Sequence, residues 1–266
     1  MNLYQTPTDA CINVHRDIVN HGDTARPRGM EIREQLGYTF KITEPWRIPV
    51  NIHNRGLNHN IGIIEALNLL GQTTTPEKLV DTAPVFERYL DSGSLHGAYG
   101  PRIHGRLHDL VQQIEHDTDT RQAVLTIYNS AQDLNRVKND IPCTIALQYF
   151  IRDNRLHAHT MMRSNDAHLG LPYDLFQFIT LQAAIAAHFD IGIGGYTHTA
   201  GSMHVYQQHY EHSREWRNLD THANTTPGLF NTMPIADTSQ RARAILNQCA
   251  ITNPSRHEQW MINKLA

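Results

Sequence analysis

Apolar positions along this chain fall into helical stripes and short β-rich runs, with clusters of turn residues between them. From Thr8 to Asn20 they recur at helical spacing. The following His21-Gly-Asp-Thr-Ala-Arg-Pro-Arg-Gly29 is basic and rich in turn residues, which predicts a mobile loop. Ile61 to Leu70 reads as an apolar helix ending at Gly71. Thr75-Pro76 opens another, with a threonine N-cap and a proline at the first helical position, where its missing N–H is harmless. Arg121 to Tyr128, Thr144 to Ile151 and Leu156 to Met162 are rich in β-branched and aromatic residues and predict strands, the last two separated by a turn at Asp153-Asn154. Leu175 to Phe189 is a long apolar helix rich in alanine. Strands mixed with helices, without regular βαβ alternation, predict an α+β fold. No linker, repeat or heptad divides the chain, so residues 1–266 are expected to form one domain. The segment after His212 carries mixed helical and loop signals.

Composition narrows the function classes. A net charge of −3 over 266 residues, with no long basic block, argues against a nucleic-acid footprint. An anionic small molecule fits, because a few arginines suffice for one. No apolar run approaches the roughly 20 residues needed to span a bilayer, and the N-terminus lacks the basic and apolar regions of a signal peptide. A cytoplasmic protein without membrane contact is expected. The three cysteines, Cys11, Cys143 and Cys249, are widely spaced and odd in number, which argues against a disulfide framework and suits a reducing compartment. Eighteen histidines invite a metal reading. However, His157 and His159, or His96, His104 and His108, have no cysteine or carboxylate completing a zinc set, so no metal is expected.

Several polar residues are not demanded by folding. Glu65 lies inside an apolar helix, where it is either an edge residue facing water or a buried acid with a task. Cys143, between proline and threonine, reads by itself as a small buried hydrophobe. Asp174, before Leu-Phe-Gln, reads by itself as a helix N-cap. His204 and Tyr206 stand at i and i+2, which on a strand directs both to one face.

Taken together, Pro142-Cys143-Thr144, the run Arg163-Ser-Asn-Asp-Ala-His-Leu-Gly-Leu-Pro-Tyr-Asp174, and Gly201-Ser-Met-His-Val-Tyr206 resemble the thymidylate synthase family. That family carries a Pro-Cys nucleophile, Arg-Ser-x-Asp-x-x-Leu-Gly-x-Pro-[Phe/Tyr]-Asn and Gly-x-x-His-x-Tyr in this order. The resemblance is dense from Asp117 to Tyr210, thinner from Asn60 to Gly100, and faint in the first forty and last fifty residues. It ends in Asp174 where the family has asparagine, and Thr144 replaces the histidine that commonly follows the nucleophile. Both departures look like the deoxycytidylate hydroxymethylase branch.

The resemblance implies a thymidylate synthase-like fold, a mixed sheet packed with helices, and a homodimer joined through back-to-back sheets that a monomer would leave as an apolar patch. It implies that Cys143 adds to C6 of a pyrimidine nucleotide and that C5 attacks the one-carbon unit of 5,10-methylenetetrahydrofolate, the co-substrate. Hydride transfer then gives a methyl group, and water a hydroxymethyl group. Glu65 would work through ordered water and Tyr99 would be the active-site tyrosine. Arg163 and Ser164 would hold the phosphate and Arg163 would favour the Cys143 thiolate. Arg28, with Arg26 as competitor, and Arg121 from a second subunit would add to the phosphate grip. Gln122 stands where a second arginine is usual. His204 and Tyr206 would meet the sugar, and Asp166, Leu169 and Gly170 the base and pterin, Gly170 because a ring can approach a backbone without Cβ. Phe86 replaces a tryptophan over the transfer site. At Asp174 an acid accepts from cytosine N4 and, when protonated, donates to N3, where an asparagine matches uracil. The implied activity is 5-hydroxymethylation of dCMP. Methylation of dCMP or dUMP, hydroxymethylation of CMP, and an inactive nucleotide-binding relative remain alternatives.

Overall fold

In the computed structural model, which describes residues 1–52, 54–70, 76–134 and 138–216, the first helix starts as its sequence dictates. Thr6 Oγ1 accepts from the Asp9 N–H at 3.1 Å and Pro7 takes the first turn, so a free backbone donor is capped. In chain order the elements are β1 (Asn2–Tyr4), α1 (Pro7–His21), β2 (Asp23–Ala25), β3 (Ile32–Ile42), α2 (His59–Leu69), α3 (Pro76–Thr82), α4 (Tyr99–Ile103), α5 (Arg106–His116), β4 (Val124–Thr126), α6 (Ser130–Asp133), β5 (Thr144–Arg152), β6 (Arg155–Met162), β7 (Asn165–Asp166), α7 (Leu171–His188), β8 (Gly192–Tyr206) and α8 (His212–Glu215). Gly71 and Thr75, expected to bound two helices, lie outside the described residues, as does Cys249.

The sheet runs β1-β3-β8-β6-β5-β4, with β2 paired to β3 and β7 to β8. β6 and β8 are parallel, because α7 carries the chain back between them, whereas β5 and β6 form an antiparallel hairpin through Asp153-Asn154, both at positive φ. Helices α1 and α7 cover one face. Ile12, Val14 and Ile18 of α1 and Phe178, Ile179 and Leu181 of α7 meet Phe40, Ile42 and Tyr196 of the sheet in one buried core. α2 then packs across α7, and the fold is α+β.

Three expectations change. The loop after His21 is half of a hairpin: Asp23–Ala25 pairs with Ile32–Glu34, and only the tip, with Arg28 at φ 53°, is irregular. The strand expected from Arg121 shortens to Val124–Thr126. Thr120 Oγ1 accepts from Gln122 N and the Gln122 carbonyl from Val124 N, which turns the chain before the ladder begins. The sheet face away from the helices is a half-exposed ladder of Thr39, Thr199 and His159, hydrogen-bonded across β3, β8 and β6 at 3.1 and 2.9 Å. The expected apolar patch is therefore polar along this ladder.

Candidate active site

The end of the Cys143 loop is tied to the β6–β7 turn. Arg163 donates its backbone N–H to the Cys143 carbonyl at 2.8 Å, and its guanidinium donates to the carbonyls of Pro142 and Ile141, both at 2.9 Å. The same guanidinium reaches the Cys143 Sγ at 3.7 Å. The expected thiolate activation is therefore built in, but it is outweighed: burial pushes the thiol up, Arg163 and Arg28 pull it down, and Asp174 and Asp140 push it up further.

Behind it lies a group of acids. Asp174 is not an N-cap; it sits in the first turn of α7, its N–H bonded to the Gly170 carbonyl at 3.0 Å and its side chain buried. Burial raises its carboxyl to about 7, against hydrogen bonds from Asn165 and Gln177 that lower it. Glu65 of α2 is half-buried as a residue, but its carboxyl end turns inward rather than to water. Its Oε2 is sealed without a hydrogen-bond partner, and burial, then Asp174 and Asp140, raise it to about 8. The Tyr99 ring stacks on Phe178 at 6.0 Å, and burial beside Asp174 and Cys143 lifts its phenol well above the ordinary value. Cys143, Glu65, Tyr99 and Asp174 thus converge from α2, α4, α7 and the start of β5. Two acids near neutrality inside one such cluster are what proton transfer at pH 7 requires.

Parallel pairing of β7 with β8 sets Asp166 beside His204. Asp166 Oδ1 accepts from the N–H groups of His168 and Leu169 at 2.8 and 2.9 Å, while Oδ2 is buried and unpartnered. His204 is buried, its imidazole pKa lowered first by that burial, and it packs edge-on to Tyr206 at 5.3 Å. Arg28 acts electrostatically on both Cys143 and His204, whereas Arg26 is paired with Glu31 at 2.8 Å, so the hairpin tip presents Arg28 to the site. Ser164 is half-buried, and Arg121 and Leu169 are exposed. Phe86 lies in a 3-10 turn with Tyr89 as its ring partner at 6.5 Å.

Gly170 has a packing reason of its own. A Cβ there would stand 3.3 Å from both Asn165 Nδ2 and Asp174 Oδ2. Sequence reasoning also missed Asp140, which accepts from Gly97 N at 2.9 Å and acts on both Glu65 and Cys143. It missed Asn165 and Gln177 too; the i, i+3 spacing of Asp174 and Gln177 on a helix was a usable signal.

Three other imidazoles, His168, His209 and His212, bring nitrogens within 4.8 Å of one another. Their rings lie near parallel, with His168 4.1 Å from His209 at 14° and 4.7 Å from His212 at 16°, and His168 and His212 also stack on Trp216. Metal-binding lone pairs lie in the ring plane, so parallel stacked rings do not converge on one ion, and the Arg55 guanidinium donates to the His168 carbonyl at 2.8 Å. Burial, then Arg55, takes His168 down to about 2. The group reads as a packed ring stack.

Known proteins fit this geometry. The thymidylate synthase family profile matches residues 10–249. A deoxyuridylate hydroxymethyltransferase of Bacillus phage SP01 is 29% identical over 222 residues, which are 77% of this chain and 58% of that protein. The chain thus spans less than two thirds of that relative's length. The thermostable thymidylate synthase A from Bacillus subtilis superposes with a TM-score of 0.67 at 18% identity, over 80% of this chain and 84% of that one, and so shares the fold. No helix among the described residues is long and apolar enough to cross a membrane. With a family profile matching from within α1 into the C-terminal region, and the Cys143, Arg163–Asp174 and His204–Tyr206 motifs gathered around one site, the chain belongs to the thymidylate synthase family.

Proposed function

We propose that this protein transfers a one-carbon unit from 5,10-methylenetetrahydrofolate to C5 of a cytosine nucleotide, dCMP, with addition of water. The balanced reaction takes dCMP, methylenetetrahydrofolate and water to 5-hydroxymethyl-dCMP and tetrahydrofolate. The observation that carries the cytosine reading is the buried Asp174 carboxyl, raised to about 7, beside the nucleophile. At that value it holds or yields a proton near neutrality, so one oxygen accepts from N4 while a shared proton bonds N3. A protonated N3 withdraws electrons from C6, where the Cys143 sulfur adds once its proton has left. The folate supplies the electrophilic carbon. Asp166, paired across β7 and β8 with His204, is the residue we assign to its pterin. Glu65, raised to about 8, holds a proton at neutral pH for relay through water near C5.

We read residues 1–266 as one catalytic domain of a two-fold homodimer in a reducing cytoplasm, with Arg121, exposed ahead of β4, serving the neighbour's phosphate. A second reading is favoured by the phage relative, whose name specifies deoxyuridylate. Mass spectrometry of the product from dCMP and from dUMP, with dihydrofolate absorbance followed in parallel, separates the two. The expected result is a hydroxymethyl product from dCMP without dihydrofolate. A methyl product with dihydrofolate, or exclusive use of dUMP, overturns the proposal.

A further inference from the structure

Asp174 is held by two amides. Asn165 Nδ2 donates to Oδ2 at 2.7 Å, and Gln177 Nε2 donates to Oδ1 at 3.2 Å, all three side chains being buried. The first contact is the closer, and its place is fixed from several sides. Asn165 is anchored on β7 opposite Met203 of β8, and Gly170 leaves room for the Asn165–Asp174 pair and for little more.

A neutral carboxylic acid can match either base, and which base it matches depends on where its proton sits. Cytosine needs a donor opposite N3 and an acceptor opposite its exocyclic group, and uracil needs the reverse. A hydroxyl oxygen is a poorer acceptor than the other oxygen of the acid, so protonating the oxygen that carries the stronger amide bond is the costlier choice. We propose that Asn165 is a positioning residue for base specificity, whose 2.7 Å amide bond to Oδ2 confines the acid proton of Asp174 to Oδ1 and thereby gives the pyrimidine edge one fixed donor and one fixed acceptor. This rests on the assignment of Asp174 to the pyrimidine edge.

The surroundings make the amides decisive. The groups facing Asp174 are Cys11 from α1, Glu65 from α2, Tyr99 from α4, Cys143, Asp166 from β7 and Tyr196 from β8, each acidic and each disfavouring a second negative charge. Asn165 and Gln177 are what oppose burial at this carboxyl.

The test compares Asn165→Leu, which keeps bulk and removes the stronger donor, with Gln177→Met, which removes the weaker one from the other oxygen. Calorimetric Kd values for dCMP and dUMP at pH 7 should show the wild-type preference shrinking by about tenfold in Asn165→Leu, the worth of one buried hydrogen bond. In Gln177→Met the preference should hold or widen. A purely structural role would move both alike, and equal losses overturn the proposal. Asn165→Ser, small and polar, replaces the leucine variant if that fails to fold. Carboxyl 13C NMR of Asp174 tests the clamp without nucleotide: its titration midpoint should rise more in Asn165→Leu than in Gln177→Met, and equal rises overturn the clamp. Wild type binding neither nucleotide, with the midpoints as expected, overturns the functional reading and leaves the clamp standing.

Discussion

The floor of the site and its rim are built on different physics. On the floor, Glu65, Tyr99 and Asp174 sit among apolar walls and one another, and burial is the first cause of every shift they show. On the rim, Arg28, Arg121 and Arg163 are exposed. Floor energetics are therefore those of desolvation and unmet hydrogen bonds, insensitive to salt, whereas rim energetics are Coulombic and screened within about 8 Å at physiological ionic strength. On the proposed function, a nucleotide would present its base to the first and its phosphate to the second. The base can be chosen by the floor while affinity is supplied at the rim.

The largest effect should come where the two regions meet. Cys143→Ser should lower release of tritium from C5 of the nucleotide by on the order of 10^3-fold or more, because a hydroxyl is a far poorer nucleophile at neutral pH. Nucleotide Kd should stay within a few-fold, since the phosphate and base contacts remain. Undiminished turnover would remove Cys143 from the mechanism.

Next comes the floor alone. Asp174→Asn should shift the ratio of kcat/KM for dCMP over dUMP toward dUMP by about 10^2-fold or more, a size set by leaving a buried edge mispaired. An unchanged ratio would show that the base is read elsewhere.

Glu65 tests the floor through stability. Its folded-state value, about 8, lies above the ordinary carboxyl value, so folding binds a proton that the unfolded chain releases. This contribution is fully present below the ordinary carboxyl pKa and is lost as pH rises toward 8. Urea unfolding of wild type at pH 5.5 and 8 should show a loss that Glu65→Gln lacks, on the order of 3 kcal/mol. Equal pH dependence in the two proteins would place Glu65 in contact with water.

The sequence announced these regions unevenly. α1, β5, β6 and α7 were legible because their apolar residues recur with the period of the element. β3 was not, since exposed Leu36 and Gly37 at φ 67° interrupt the alternation that Tyr38, Phe40 and Ile42 resume. The β2–β3 hairpin was hidden because turn residues do not say which neighbour they pair with. In the site, Cys143, Asp174 and His204 stood out as motif residues. Their surroundings did not: Asp140 acts on Glu65 from 75 positions away, and Asn165 occupies the variable position of its motif, where no pattern marks it.

The smallest expected effect separates two neighbours on the rim. Arg26 and Arg28 flank one proline, and sequence alone left them as rivals for the phosphate. Arg26 is spent on Glu31 at 2.8 Å, an exposed pair worth roughly 0–1 kcal/mol. Arg28, held at φ 53° on the hairpin tip, acts instead on Cys143 and His204. Arg28→Ala should weaken nucleotide monophosphate binding by about tenfold at low salt, as loss of a charge-assisted contact would, and Arg26→Ala by under about threefold. The nucleoside lacking phosphate should bind both variants as it binds wild type, which confines the effect to the rim. Raising salt should shrink the Arg28 effect and leave the Asp174→Asn preference unmoved, because one contact is screened by ions and the other is sealed from them. If the two arginine variants weaken binding equally, the hairpin tip does not choose between its arginines and the phosphate grip lies with Arg163.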